Sequence, residues 1–435
     1  MKMLKFSFGF WMLFLVISFF MAPTSNATSQ WAKKTGIPCS TCHTVFPRLT
    51  SFGEEFLKNG YQLETTYTKN WEEAFPIDAG GVKLDNVDNI FGFRLNLTPF
   101  KLETNSFQKD SGAVKGSKIT IGEANWAQMF IAGPIYKDIS FFTELEYAPS
   151  GFKMAWFYFN FTNLFGSKLV NFQVGRITPL EFTSFPNRLP QLPAIKSEAM
   201  LLKSSDGTGE QSTDLSSVRP GAQYFGRTDL LTWYAGLTPG TDPASKDQFM
   251  DYWAGIIYKL PEELLSGFGG STFTLHYYKG TDTKNTGISV PDLKQVENNY
   301  TRFSPQINIR YKDKIDIQAA YILGTDENRS FKTSGNTDFK FSGIALQAGY
   351  MPNETMHFAV HFDQYSSKDN LTSGTNKDKP VFEFMRVVPV ATYIINENVR
   401  ISAYYEKNLT ADRFDAAGKK LDLVDRFYVN TRVMF

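Results

Sequence analysis

Past Ala22 this 435-residue chain has no apolar stretch that approaches the roughly 18 residues a transmembrane helix requires. An excess of charge is equally lacking: 45 Lys and Arg stand against 44 Asp and Glu, a formal net of +1. With no basic field, nucleic acid is excluded as a partner. G-x-S-x-G, H-E-x-x-H and a phosphate-cradling glycine loop are all absent, so no catalytic constellation of hydrolytic type is present. Cysteine and histidine are scarce, with 2 and 4 copies.

The scarce residues are concentrated. Both cysteines and one histidine fall in Cys39-Ser40-Thr41-Cys42-His43, the C-x-x-C-H pattern of covalent c-type haem attachment. Cys39 and Cys42 can each form a thioether to one haem vinyl group, and His43 then supplies an axial imidazole to the iron. A thioredoxin-like redox pair needs a βαβ context that the flanking residues do not provide. A structural zinc site needs four ligands; this stretch has three, and His276, His357 and His361 lie far along the chain.

Lys2 and Lys5 precede an apolar run over Phe6–Ala22 and a small-residue stretch ending Ser25-Asn26-Ala27. The pattern predicts a secretory leader over 1–27; a retained anchor is the alternative, opposed by the short apolar core and the small-residue end. Loss of Lys2 and Lys5 with the leader changes the formal net charge from +1 to −1.

Two unequal parts follow. Residues 28–85 form the motif-bearing part, a short, partly helical module. Ser51-Phe52-Gly53-Glu54 fits a capping box and Asn59-Gly60 a helix stop. A helix near Phe52–Lys58 carries Phe52 and Phe56 on one face, suited equally to a porphyrin or to an ordinary core. Fewer than about 60 residues do not wrap a haem and bury a core unaided, so something else must enclose the cofactor.

Residues 86–435 alternate. Phe303, Ile307, Ile309 and Tyr311 interleave with Ser304, Gln306, Asn308 and Arg310; Val399, Ile401, Ala403 and Tyr405 interleave with Arg400, Ser402, Tyr404 and Glu406. Sixteen such segments begin near 88, 118, 138, 152, 169, 216, 229, 248, 271, 300, 314, 338, 354, 381, 397 and 424. The aromatic content is 15%, with 40 Phe and 20 Tyr and no long apolar run, which points to membrane-crossing strands rather than helices. The reading is an all-β protein: a 16-stranded antiparallel transmembrane β-barrel of porin type with an N-terminal haem c module. Short turns (Gly133–Lys137, Lys312–Asp313, Met351–Asn353, Asn396–Asn398) alternate with long polar loops (Glu103–Gly116, Thr178–Leu215, Thr281–Asn299, Ser366–Pro380), as on the two rims of an outer-membrane barrel. Ala148–Gly151 and Pro261–Gly270 break the alternation. An even strand count puts both termini on the periplasmic side. Tyr258, Tyr311 and Tyr350 fall beside short turns and Tyr147, Tyr321 and Tyr405 near the opposite ends, as girdles require. The chain closes on an alternating strand ending at Phe435, resembling the signal of bacterial barrel assembly. A soluble β-sandwich also alternates, but needs neither sixteen strands nor unequal rims.

The same parity turns His276, His357, His361 and Asp363 inward, along with Glu144, Glu146, Asp316 and Glu406. Any of these histidines could be a distal haem ligand, a metal-ion stop or plain polar lining. Carboxylates are hard oxygen ligands that a ferrous ion tolerates.

In layout, and in Lys34-Thr35-Gly36-Ile37-Pro38-Cys39-Ser40-Thr41-Cys42-His43-Thr44, Phe46-Pro47-Arg48-Leu49 and Phe52-Gly53-Glu54-Glu55-Phe56-Leu57-Lys58-Asn59-Gly60-Tyr61, the chain resembles the fused monohaem c-type cytochrome–porins of bacterial outer membranes, which include iron oxidases. Val174-Gly175-Arg176 and Pro179 resemble a strand end of phosphate-selective-type porins. The resemblance implies one haem c on Cys39 and Cys42, His43 as proximal ligand, an outer-membrane location, and Fe(II):cytochrome c oxidoreductase activity with electrons passing to periplasmic c-type cytochromes. Two other readings remain open on the sequence: a solute-diffusion porin with the haem module as plug or sensor, and a conduit discharging electrons to external acceptors.

Overall fold

The computed structural model describes residues 30–45, 47–63, 77–84, 90–109, 112–136, 138–149, 151–183, 215, 217–240, 250–286, 294–312, 314–328, 339–367, 382–409, 413–414, 420–421 and 424–434. The leader, Phe435 and most of the Thr178–Leu215 loop lie outside the described residues.

Sixteen antiparallel strands close into one barrel. They are β1 (Phe91–Thr104), β2 (Lys118–Tyr136), β3 (Ile139–Ala148), β4 (Gly151–Phe161), β5 (Asn171–Ile177), β6 (Arg219–Arg227), β7 (Leu231–Thr238) and β8 (Asp251–Lys259). The second half comprises β9 (Thr272–Thr286), β10 (Lys294–Tyr311), β11 (Ile315–Asp326), β12 (Phe339–Asn353), β13 (Met356–Ser367), β14 (Phe382–Asn396), β15 (Val399–Asn408) and β16 (Asp425–Met434). Closure is made by β16 on β1, from Asp425↔Thr104 to Met434↔Arg94. A closed sheet leaves no backbone edge unpaired, the condition for strands to cross hydrocarbon. Among the described residues no helix is long and apolar enough to cross a membrane.

Each expected segment is a strand of this barrel, and the expected parity holds. Arg302, Ser304, Gln306, Asn308 and Arg310 are buried inside while Phe303 and Ile307 are exposed on the outer face. On β13, His357, His361 and Asp363 are buried and Phe358 and Val360 exposed. A one-residue slip would turn Arg302 and Arg310 outward, at about 2–4 kcal/mol each near the bilayer midplane, so register is strongly fixed. Tyr258, Tyr350, Tyr147 and Tyr405 are exposed near the strand ends, where the girdles were expected, whereas Tyr321 is exposed in the middle of β11 and Tyr311 is half-buried.

Two connections differ from expectation. Gly133–Lys137 is not a turn: β2 continues to Tyr136, with Gly133 opposite Phe141 and Pro134 opposite Ser140. Pro134 sits at a register shift, where a missing N–H is tolerated. Thr281–Asn299 is largely strand, paired from Thr281↔Asn299 to Thr286↔Lys294. The Thr, Asn and Lys residues of this hairpin carry no apolar alternation by which to read a strand. Inside the barrel, Leu180 and Phe182 of the segment after β5 pack beneath Phe225 and Tyr234, with Phe182–Phe225 centroids 4.6 Å apart. That segment narrows the lumen.

The N-terminal part occupies the mouth on the short-turn side. It contains α1 (Gln30–Thr35), α2 (Cys39–Cys42) and α3 (Ser51–Lys58), followed by a small hairpin, Ile77–Ala79 on Val82–Leu84. The cap of α3 is Thr50 rather than Ser51: its hydroxyl accepts from the Gly53 N–H at 3.1 Å. Glu54, expected to reach back to the cap, instead accepts from Arg310 at 2.5 Å. The stop at Asn59-Gly60 is as expected. Gly60 has φ +65°, the Tyr61 N–H reaches Phe56 O at 2.9 Å and the Gly60 N–H reaches Leu57 O at 3.1 Å, a Schellman pair.

Polar contacts fasten this part to the wall. Arg48, fully buried, donates to both oxygens of Asp316 on β11 at 2.5 and 3.0 Å and to Asn308 on β10. Although burial pulls the Arg48 guanidinium down, the Asp316 and Glu54 carboxylates together outweigh it, and its pKa is raised. On another side Arg227 of β6 donates to Glu55 at 3.2 Å and to Asn59 at 2.6 Å.

Candidate functional site

Helix α2 is a single turn, and the i, i+3 spacing puts Cys39 and Cys42 on one side of it. The turn closes through Thr41 N–H to Pro38 O at 3.0 Å and His43 N–H to Cys39 O at 2.9 Å. Its back lies on the start of α3. Thr50 donates its N–H to Cys42 O at 2.9 Å and its hydroxyl to Thr41 O at 2.6 Å. The approach is so close that a Cβ on Gly53 would come within 2.2 Å of Cys42 O. His43 leaves the turn extended and bridges Leu49, and the Cys39 N–H donates to Glu397 Oε2 in the β14–β15 turn at 3.4 Å.

In front of the turn is a cavity of about 960 Å³, lined by Cys39, Cys42 and His43 and shared between the N-terminal part and the barrel wall. Its size is at the top of the roughly 300–1,000 Å³ range typical of ligand and cofactor pockets. One side is aromatic. Trp31 and Tyr61 stack at 4.7 Å, Tyr61 lies 5.7 Å from Phe142, and Phe142 lies 5.4 Å from Tyr158. The Tyr61 and Tyr158 hydroxyls are 2.5 Å apart. Polar lining comes from Arg94, Arg400 and Arg432 on β1, β15 and β16, and from Glu144 and Glu146 on β3. Toward the short-turn rim the cavity reaches Glu354 and Glu397. Burial, and then the neighbouring Cys39, push the Cys42 thiol up to about 11.

Solved structures with related architecture are bacterial outer-membrane channels. The anion-selective porin from Comamonas acidovorans matches at TM-score 0.54 with 10% identity, over 79% of this chain and 98% of its own. OmpF of Salmonella typhi, in complex with daunomycin, matches at 0.52 with 15% identity, over 82% and 99%. The outer-membrane channel DcaP of Acinetobacter baumannii matches at 0.52 with 11% identity, over 79% and 97%. The barrel has the fold of an outer-membrane porin. No protein-family model matches the chain, and no curated protein matches it.

Within that porin-type barrel the anticipated side chains separate into three groups. Cys39, Cys42 and His43 meet at the cavity, joined by Phe56, Glu144 and Glu146. Phe52 does not: it is 42% exposed. His276, His357 and His361 are buried on the lumen wall but do not line the cavity. His276 is bonded to the Tyr234 hydroxyl at 3.0 Å, and His361 stands 4.0 Å from Asp363. Asp316 and Glu406 are occupied structurally, by Arg48 and by Arg386 and Arg426. Among the described residues no group of three His, Cys, Asp or Glu is arranged to hold a metal ion.

Sequence reasoning missed the arginines, Trp31, Tyr61, Met351 and Met434. Inward parity identifies Arg400 and Arg432, but only closure of β16 on β1 brings Arg94 beside them.

Proposed function

We propose that this protein is an outer-membrane electron-transfer conduit carrying one covalent haem c on Cys39 and Cys42. The observation that carries the reading is one cavity of cofactor size lined by both cysteines and by His43. The lining suits a porphyrin: aromatic faces for the ring, guanidinium groups for its carboxylates, and one histidine for the iron. The haem supplies one-electron chemistry at iron, with axial ligation and burial tuning its potential. Cys39 and Cys42 tether the ring, His43 ligates, and Trp31, Tyr61 and Phe142 exclude water. Met351 and Met434 place two thioether side chains in the lining.

The donor is ferrous iron, as the sequence resemblance implies, each Fe(II) giving up one electron and leaving as Fe(III). Glu144 and Glu146 offer oxygen ligands beside the cavity. The electron leaves at the short-turn rim, near Glu354 and Glu397, to a periplasmic c-type cytochrome. The porin fold and the outward aromatic belt support an outer-membrane location. Anaerobic titration of purified haem-bearing protein with Fe(II), followed by its visible spectrum, tests the assignment: reduction is expected, and a haem that stays oxidised in excess Fe(II) removes iron as donor.

The fold itself favours a second reading, a solute-diffusion porin whose mouth the N-terminal part plugs. Solute flux into reconstituted vesicles that is substantial, and unchanged by His43→Ala, would select it.

A further inference from the structure

We propose that the short-turn rim docks on phospholipid along one side only, through the turns between β2 and β9. That side sinks into the leaflet, and the side where the cavity reaches the rim stands clear of it. The inference rests on the membrane location and not on the haem. Four successive turns carry exposed apolar side chains. Tyr136 is 52% exposed between β2 and β3, Phe165 96% between β4 and β5, Leu230 43% between β6 and β7, and Leu264 and Leu265 66% and 51% between β8 and β9. Backbone hydrogen bonds join these turns to their neighbours: the Arg227 N–H donates to Lys168 O at 3.0 Å and the Lys259 N–H to Leu230 O at 2.8 Å. Phe165 is held out by a strained backbone, with φ 59° and ψ 24°, a left-handed conformation that a bulky side chain seldom adopts.

Lipid is the occupant because this arc continues the outward belt of the barrel. Phe172 and Val174 are exposed on the outer face of β5, and Phe172 lies 5.6 Å from Tyr224. The Tyr224 hydroxyl in turn donates to Leu169 O at 2.8 Å, in the same turn as Phe165. Beside Leu230, Leu231 is opposite the exposed girdle residue Tyr258. Charges in the arc suit a headgroup layer. Glu262 accepts from the N–H groups of Gly267 and Gly269 at 2.5 and 2.7 Å, and Asp229 and Glu263 are exposed where ethanolamine headgroups offer ammonium partners. Around the other side of the rim the exposed tips are polar: Lys312 and Lys314, then Asn353, Glu354 and Thr355, then Asn396 and Glu397. Interfacial anchors set the tilt of a membrane-spanning element, so anchors on one side incline the barrel. The cavity reaches the rim at Glu354 and Glu397, on the polar side, where a soluble partner meets the opening without displacing lipid.

The test is Phe165→p-benzoylphenylalanine, with the same photo-crosslinking residue placed separately at Leu264, at Glu354 and, as a belt control, at Val360 on the outer face of β13. Each full-length variant is reconstituted in vesicles of phosphatidylethanolamine and phosphatidylglycerol, illuminated, and read by mass spectrometry. Lipid adducts are expected at 165, 264 and 360, and about tenfold fewer at 354, where the side chain is in water rather than at the acyl boundary. Leu230, Leu265 and Glu397 replace Phe165, Leu264 and Glu354 in turn should a variant fail to fold. Lipid adducts at 360 but not at 165 and 264, or equal yields at 165 and 354, overturn the one-sided docking and leave the membrane barrel intact. No lipid adduct at 360 overturns the membrane location itself. A protein–protein adduct at 165, between two copies in vesicles or with another chain in native membranes, overturns the proposal in favour of a protein interface.

Discussion

Replacing Arg48 by methionine should loosen the N-terminal part from the barrel. Arg48 is fully buried and bridges Asp316 and Asn308 on the wall to Glu54 on α3. Removing one partner of a buried ion pair costs about 3–5 kcal/mol, because the remaining charge stays buried and uncompensated. The Asp316 side chain keeps 17% exposure, so partial rehydration places the effect at the lower end, about 3 kcal/mol. At about 1.4 kcal/mol per factor of ten, the undocked population should rise on the order of a hundredfold. Lys58 provides the reporter, since it is buried between α3 and the wall and trypsin reaches it only after undocking. Cleavage after Lys58, followed by mass spectrometry on folded protein, should accelerate by the same factor while cleavage in the long loops is unchanged. Replacing Arg48 and Asp316 together by methionine should recover much of the loss, since a buried pair exchanged for apolar residues is often neutral. Equal cleavage rates at Lys58 in wild type and Arg48→Met would refute the claim that this ion pair holds the mouth closed.

Further outcomes follow from the same geometry. Gly53→Ala should lower the yield of haem-bearing protein relative to total barrel, because its methyl group falls on the Cys42 carbonyl and overpacking of this kind costs about 1–3 kcal/mol; intact mass gives the ratio. Burial raises the Glu55 carboxyl, but Lys58, Lys259 and Arg227 together hold it below its ordinary 4.5. A depressed carboxylate contributes docking stability above its unfolded value and loses it as pH falls through the lower folded value. The protection factors of α3 amides against hydrogen exchange, referred to the intrinsic rate at each pH, should therefore fall on acidification below about pH 4.5, and Glu55→Gln should flatten that response. Val360→Arg, on the outer face, should cost about 2–4 kcal/mol if it lies near the bilayer midplane, and His361→Gln on the inner face much less; urea unfolding in lipid compares them, and equal effects would contradict the assigned parity.

The barrel was legible in the sequence because lipid outside and water inside impose opposite demands on successive residues of every crossing strand. The rule stops at the membrane boundary, so the Thr281–Asn299 hairpin, polar on both faces, passed for a loop. The helix stop at Gly60 was legible from local chemistry. The helix start was not, since Thr50 and Ser51 both offer a hydroxyl three residues before a plausible partner. Arg310, distant in sequence, decides it by drawing Glu54 away. Phe52 and Phe56 share a helical face on paper, yet only docking against the wall determines which of them lines the cavity. Cys39, Cys42 and His43 were readable as a unit. The groups around them were not, because the cavity wall is assembled from the first and last strands of the chain, which meet only when the barrel closes.

The most direct test is the intact mass of the processed protein purified from the membrane fraction of a host able to attach c-type haem. One porphyrin bound through the peptide containing Cys39 and Cys42 is the predicted result. The same peptide recovered with both thiols unmodified would contradict the account at its root.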